Sequence, residues 1–311
     1  MSKIEMSSGD LRADRRLAFA EGLLAGGEAA AAAELMAQTM GLVPEWAAGW
    51  LRLGEMAEAA GQTPLAIEAY QRASELDPVD ALGAALRRDL LRKVPVAERM
   101  SSAFVEGLFD DYASRFDQSL VGKLGYCGPE LVARVLPDRL GRVLDLGCGT
   151  GLMGAAIRDR ATHLEGWDIS SAMLRLAKSK KVYDLLDKRD LNTLQITEAR
   201  WDTILAADVL IYIGAMERLV GWVAGSLAPA GVFAFTVEAF AGEGFCLGET
   251  RRYAHSEGYL RDLLGQAGFA DLTIRRDVLR TDRGQPVEAL VVSAVAPALK
   301  LGCAGEEAEL A

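Results

Sequence analysis

Residues 142–154, Arg142-Val143-Leu144-Asp145-Leu146-Gly147-Cys148-Gly149-Thr150-Gly151-Leu152-Met153-Gly154, leave this chain few folds to choose from. An apolar run ends in an acid, glycines then fall at every second position, and a helix-compatible run begins. That order predicts a strand, a tight turn and a helix N-terminus. Glycine reaches positive φ without strain and lets a ligand approach the backbone with no Cβ between. The helix behind the turn offers free N–H groups and a partial positive charge. Such a loop suits a nucleotide-like ligand.

Two ligand classes compete for it. Gly149-x-Gly151-x-x-Gly154, with Asp168 about 20 residues further on, matches a dinucleotide fingerprint, which would make the chain an NAD-dependent oxidoreductase. The longer pattern Asp145-x-Gly147-x-Gly149-x-Gly151 sets a carboxylate at the strand end. There it meets a cationic amine, whereas a pyrophosphate gains nothing from it. S-adenosyl-L-methionine carries an α-amino group and no phosphate. The stretch resembles the first motif, (Asp/Glu)-x-Gly-x-Gly-x-Gly, of the class I S-adenosylmethionine-dependent methyltransferases. The resemblance implies an α/β fold with a Rossmann-like seven-stranded sheet, parallel except for an antiparallel last strand. It implies S-adenosylmethionine as cofactor, held by Asp145, Gly147, Cys148, Gly149 and Gly151.

The strands that follow can be placed on the same pattern. His163–Asp168 ends in an acid, and in that family the matching acid accepts two hydrogen bonds from the ribose diol. Ile169-Ser170-x-x-Met173-Leu174 resembles the family's next turn, with Ser170 as N-cap and Met173 either against the adenine or in the core. Val182–Lys188 reads as an exposed edge strand. Asp190-Leu191 follow it; in the family an acid here bonds the adenine amine and the neighbouring N–H a ring nitrogen. A slipped register would give that place to Asp187. Trp201–Ala207 is a buried strand whose carboxyl end leads to Asp208 and Tyr212, where open α/β sheets bind ligands. Both would face the methyl group or its acceptor. The (Asp/Asn)-Pro-Pro-aromatic motif of nucleobase-methylating enzymes is missing there.

Val232–Val237 reads as the fifth strand. The glycine-rich loop 239–255 carries Arg251, Arg252, Tyr253 and His255, which would make either a pocket for an acidic small molecule or a plain surface loop. His255 is the first choice for a general base, with Tyr253 and Asp208 next, if the acceptor must lose a proton. A helix at 257–267 ends at Gly268. Strands at 269–279 and 286–295 form the antiparallel hairpin with which the methyltransferase family closes its sheet. A dinucleotide domain would continue with another parallel unit.

Ahead of the sheet, residues 13–94 carry alanine-rich helical patterning. Trp50, Leu53, Gly54, Ala57, Ala66, Tyr70, Ala73 and Pro78 fall at the spacings of a tetratricopeptide repeat, and a degenerate copy stands one period earlier. Such an arm would hold a protein partner, mediate self-association or serve only as a structural lid. Residues 96–141 then read as a lid segment. Phe104, Leu108, Phe109, Tyr112, Ala113 and Phe116 recur at helical spacing. Phe109–Asp117 resembles a segment that folds over the cofactor in small-molecule methyltransferases, which makes Tyr112 and Phe116 either cofactor contacts or core. Arm, lid and sheet together resemble a group of bacterial methyltransferases that carry tetratricopeptide repeats.

The expected plan is therefore a helical arm over 1–95, a lid over 96–141, an S-adenosylmethionine-binding domain over 142–296 and a disordered tail over 297–311. The 311 residues suffice for it. A net charge of −10 spread over the chain argues against a nucleic-acid surface. Cys127, Cys148, Cys246 and Cys303 are far apart and, with two histidines, predict no metal site. Neither a basic-then-apolar leader nor an apolar run of membrane-spanning length is seen, so a cytoplasmic protein is expected. The expected function is methyl transfer to a small acidic or hydroxylated acceptor. A protein-binding module with an inactive cofactor domain is the alternative.

Overall fold

Small and apolar residues at helical spacing, broken by turns rich in glycine and proline, build the first unit. In the computed structural model, which describes residues 6–92, 100–195, 200–248 and 250–297, five helices follow in turn. They are α1 (Leu11–Ala25), α2 (Ala29–Met40), α3 (Ala47–Ala59), α4 (Thr63–Leu76) and α5 (Ala84–Arg92), each packed on the next. Asp10 caps α1 by accepting from the N–H groups of Arg12 and Ala13. Leu53, Gly54, Ala57, Ala66, Tyr70 and Ala73 are all buried, as their spacing predicts. Trp50 is half-buried, and its Nε1 donates to the Pro44 carbonyl at 2.8 Å.

Gly54 is where two helices approach most tightly. A Cβ on it would lie 2.4 Å from Tyr70 Cε1. Gly→Ala in an open helix stabilises by roughly 1 kcal/mol. Here the methyl group must displace a buried ring, so Gly54→Ala is expected to destabilise this unit by about 1–3 kcal/mol. Thermal unfolding followed by circular dichroism gives the sign; a raised melting temperature would refute the packing argument.

The chain divides into two compact units, Met1–Leu108 and Phe109–Ala311, and the division falls inside α6 (Ser102–Tyr112). Of the lid expected over 96–141, residues 96–99 lie outside the described residues, and from Phe109 onward the segment belongs with the sheet. That unit continues with α7 (Gly128–Arg134), β1 (Gly141–Leu146), α8 (Leu152–Ile157), β2 (Ala161–Asp168) and α9 (Ser171–Lys180). Next come β3 (Leu185–Lys188), β4 (Trp201–Ala206), α10 (Glu217–Ser226), β5 (Leu227–Ala239), β6 (Phe245–Leu247) and β7 (Tyr253–His255). Helix α11 (Glu257–Gln266), β8 (Ala270–Asp282) and β9 (Gln285–Val295) end the described chain. The tail from residue 298, with Cys303, lies outside the described residues.

Seven strands run in the order β3-β2-β1-β4-β5-β9-β8. The first five are parallel, and β9 is antiparallel to both its neighbours. The expected count of seven is short by two, because part of loop 239–255 is itself a hairpin. Its strands β6 and β7 pair antiparallel, and β7 extends the end of β5 through Glu238↔Ala254.

Successive side chains of a strand face opposite sides of the sheet. Leu144, Ile204 and Phe233 share a cluster with Trp201, Trp222 and Leu260, which brings in α10 and α11. Val143, Leu205 and Ala234 join Val132, Met153 and Ile157 of α7 and α8 in another. Helices therefore cover both faces, and the carboxyl ends of the parallel strands carry the polar residues. Among the described residues no helix is long and apolar enough to cross a membrane.

Candidate active site

The turn after β1 needs its glycines. Gly147, Gly149 and Gly151 hold φ of 66°, 53° and 89°, in the left-handed region that L side chains rarely adopt. At Gly147 a Cβ would also strike Val209 Cγ2 at 2.3 Å. Gly149 instead faces open space, since a Cβ there would meet nothing within 4 Å. The turn is tied to the end of β2. The Cys148 N–H donates to the Trp167 carbonyl at 3.0 Å, and the Gly149 N–H donates to Asp168 Oδ2 at 2.8 Å. Asp168 Oδ1 accepts from the Ser170 N–H, also at 2.8 Å. Burial still pushes the Asp168 carboxyl up to about 6.

Asp145, at the end of β1, is 1% exposed. Its Oδ2 accepts a hydrogen bond from the Tyr183 hydroxyl at 2.6 Å, and its Oδ1 has no partner. Burial pushes this carboxyl up to about 7, and Asp168 adds to the rise. Among the described residues, the groups that shift it include no cation. A buried carboxylate with an orphaned oxygen and no cation, beside an open glycine turn, fits a ligand that brings its own positive charge. It does not fit a pyrophosphate. S-adenosylmethionine, with a sulfonium and an α-amino group, meets that requirement.

The lid residues reach this loop. Asp110 accepts from the Ser170 hydroxyl at 2.6 Å and from the Ala172 N–H at the start of α9 at 3.1 Å. Asp117 accepts from the Thr150 hydroxyl and pairs with Lys180 at 2.8 Å. Between these two anchors Phe109, Tyr112 and Phe116 form an aromatic group, and Phe109 meets Tyr212 edge-on with centroids 5.4 Å apart. Tyr112 and Phe116 thus lie on a segment fastened to both turns of the donor loop, and both are half-buried.

Ile169 is half-buried beside Asp168. Asp190 stands just past the carboxyl end of β3, where its Oδ1 accepts from the Asn192 N–H at 2.8 Å, and Leu191 packs on the main core. Asp187 lies within β3 and is bonded to Arg189 at 2.8 Å, so the register favours Asp190. Met173 has no exposed surface. Its side chain lies in the core beneath the Ser170 cap, whose Oγ accepts from the Met173 N–H at 3.1 Å.

The candidate bases are engaged within the fold. Tyr253 and His255 alternate inward along β7 and are fully buried. The His255 Nε2 donates to the Gly214 carbonyl at 2.9 Å, its ring stacks on Tyr259, and burial lowers its pKa. Asp208 sits at a left-handed φ of 57° and is held by Arg280 at 2.9 and 3.1 Å. Arg280, with a side chain showing no exposure, also bonds Glu238. Asp208 is thus an ion-pair partner and no free base. Arg252 approaches Glu238 at 3.9 Å and Asp282 at 3.7 Å, and Arg251, the other expected pocket residue, is half-buried. Tyr212 is pushed up to about 12 by burial.

Two residues of this region escaped the sequence reading. Arg280 faces inward because a register shift between Val278 and Arg280 breaks the alternation of β8, so two successive residues, Leu279 and Arg280, are buried. Tyr183 gave no motif at all, although Gly151, Gly154 and Gly166, all on elements around it, mark the space that its ring fills.

Comparison with known proteins agrees with the geometry. Residues 123–274, a little under half of the chain, match the family model of a methyltransferase domain. Over 109 residues the chain is 29% identical to a malonyl-[acyl-carrier protein] O-methyltransferase of Enterobacter lignolyticus, covering 35% of this chain and 43% of that one. It is 33% identical over 107 residues to a trans-aconitate 2-methyltransferase of Variovorax paradoxus, covering 34% and 41%. A crystal structure of an S-adenosylmethionine-dependent methyltransferase from Mesorhizobium loti is 25% identical with a TM-score of 0.44, covering 54% of this chain and 96% of that one. The chain spans less than half the length of the two curated relatives. The sheet unit carries a class I methyltransferase domain, and its cofactor is S-adenosylmethionine.

Proposed function

We propose that the chain transfers a methyl group from S-adenosylmethionine to an oxygen of a small carboxylic acid. The observation that carries the donor half is the buried carboxylate pair at the glycine turn, Asp145 with its unpartnered oxygen and Asp168. The donor supplies an electrophilic methyl on a sulfonium, and the leaving group is neutral, so no acid is needed. Asp145 would hold the α-amino cation, Asp168 the ribose hydroxyls and Asp190 the adenine amine. The lid anchored by Asp110 and Asp117 excludes water and sets the aromatic wall of Phe109 and Tyr212 beside the loop. Catalysis then rests on holding the acceptor in line.

The acceptor half follows from the state of the side chains at the edge of β4 and β5. His255 is sealed in the core, Asp208 is held by Arg280, and Tyr212 keeps its proton far above neutral pH. A carboxylate acceptor has no proton to lose and needs none of them. Arg252 is partly exposed at this edge, where a carboxylate acceptor would compete with Glu238 and Asp282 for its guanidinium. Two relatives named for malonyl and trans-aconitate groups support the same class. For the helical unit, the packing of Gly54 under Tyr70 supports a pair of tetratricopeptide-type repeats, a scaffold of the kind that holds a protein partner.

Calorimetric titration with S-adenosylhomocysteine, run beside NAD, tests the donor. Asp168→Ala frees the Gly149 and Ser170 N–H groups at once and is expected to weaken binding at least ~100-fold. Clear binding of NAD with none of S-adenosylhomocysteine would overturn the reading.

A further inference from the structure

Tyr183 lies between β2 and β3 in sequence, far from the glycine turn, yet its side chain fills the turn's underside. A Cβ on Gly154 would lie 2.4 Å from its Cζ, one on Gly166 2.8 Å from its Cε1, and one on Gly151 3.0 Å from its Cε2. Three elements thus give up side chains to admit one ring. The hydroxyl at its tip makes two hydrogen bonds. It donates to Asp145 Oδ2 at 2.6 Å and accepts from the Gly154 N–H, in the first turn of α8, at 3.2 Å.

A ring that only filled space would need no hydroxyl there, since a buried hydroxyl must be satisfied. This one links the acid of the strand end to the helix on the far side of the turn. It uses one oxygen of Asp145 and leaves the other without a partner. We infer that Tyr183 is a positioning residue for the methyl donor: it fixes the Asp145 carboxylate and the glycine turn together, so that the second Asp145 oxygen is presented to the donor's ammonium group. The inference rests on the reading of the site as a donor site.

The groups whose charge acts on Asp145 are few. The Tyr183 hydroxyl favours the carboxylate form, the Asp168 carboxylate disfavours it, and the Cys148 thiol and Tyr126 hydroxyl are close enough to feel its charge. Removing the Tyr183 hydroxyl therefore raises the pH at which Asp145 gains its proton. Donor binding needs the carboxylate, so the acid limb of the binding profile moves to higher pH. The alkaline limb belongs to the ligand's own α-amino group, which loses its proton near pH ~8.

The test is titration of S-adenosylhomocysteine into wild type and Tyr183→Phe from about pH 5.5 to pH 8.5. The phenylalanine keeps the ring that the three glycines enclose, so the fold is expected to hold, and thermal melting checks it. The expected result is about tenfold weaker binding at pH ~7 and an acid limb displaced upward. In an Asp145→Asn background the same change is expected to have little further effect, because the two residues act as one unit. Equal affinity and an unchanged profile in Tyr183→Phe, with wild type binding well, would overturn the positioning role and leave the donor site standing. An equal loss in both backgrounds would also overturn it, by making the hydroxyl a matter of folding alone. Wild type that binds nothing would overturn the donor site and this role together.

Discussion

Arg280→Ala is expected to destabilise the sheet unit by on the order of 3–5 kcal/mol near pH 8. The guanidinium has no exposed surface and answers two carboxylates, Asp208 and Glu238, which β4 and β5 bring to the same edge. Removing it leaves two negative charges together with little water. Burial already holds the Asp208 carboxyl above its ordinary value, and losing the guanidinium beside it raises it further. The folded protein takes up protons that the unfolded chain has released, so the loss is full at alkaline pH and shrinks as the pH falls. Urea denaturation of wild type and variant at about pH 8 and pH 5.5 measures this. A second variant separates charge from packing. Arg280→Met with Asp208→Asn and Glu238→Gln removes the charges together and is expected to recover most of the loss. A loss under ~1 kcal/mol for Arg280→Ala at pH 8 would mean that the cluster is well hydrated and the ion pairs carry little.

The same cluster shows where sequence reading stops. The glycine turn, the acids at the ends of β1 and β2, and the closing antiparallel hairpin were legible because each depends on local rules: positive φ at glycine, burial of alternate residues, and a capping hydroxyl at Ser170. Lid residues Asp110 and Asp117 were only part of a helical pattern. Their hydrogen bonds to Ser170, Ala172 and Thr150 join positions 33 to 62 residues apart, which no periodicity encodes. His255 is buried for a related reason. Its loop looked irregular in composition, yet Tyr253 and His255 alternate inward once β7 pairs with β5 and β6. Arg280 was hidden by a register shift, and Tyr183 by having its partners on three separate elements. Local signals gave the frame of the donor site. Long-range pairing decided which titratable groups remain free within it.

Asp145→Asn is expected to shift stability and donor binding in opposite directions. A carboxyl raised to about 7 in the folded protein, from an ordinary value near 3.8, binds a proton that the unfolded chain has already lost between those two values. Stability therefore falls as pH rises through that window, and above about 7 the whole cost of the buried charge is present. The asparagine has no such charge. Its amide nitrogen still takes the place of an unpartnered oxygen, which offsets part of the gain. A net stabilisation on the order of 2 kcal/mol near pH 8 is expected in the free protein, fading towards pH ~4. The donor, by contrast, loses the charge that answers its ammonium group, and affinity for S-adenosylhomocysteine is expected to fall by at least about 30-fold. Ligand that binds only the folded state stabilises it in proportion to the logarithm of one plus the ratio of free ligand to its dissociation constant. The two melting curves should then exchange order: the variant melts higher alone, and wild type melts higher in excess S-adenosylhomocysteine. A variant that melts lower than wild type without ligand would make Asp145 a fold-stabilising partner of Tyr183. The exchange of order would show instead that the chain tolerates an unfavourable buried carboxylate because the donor's cation completes it.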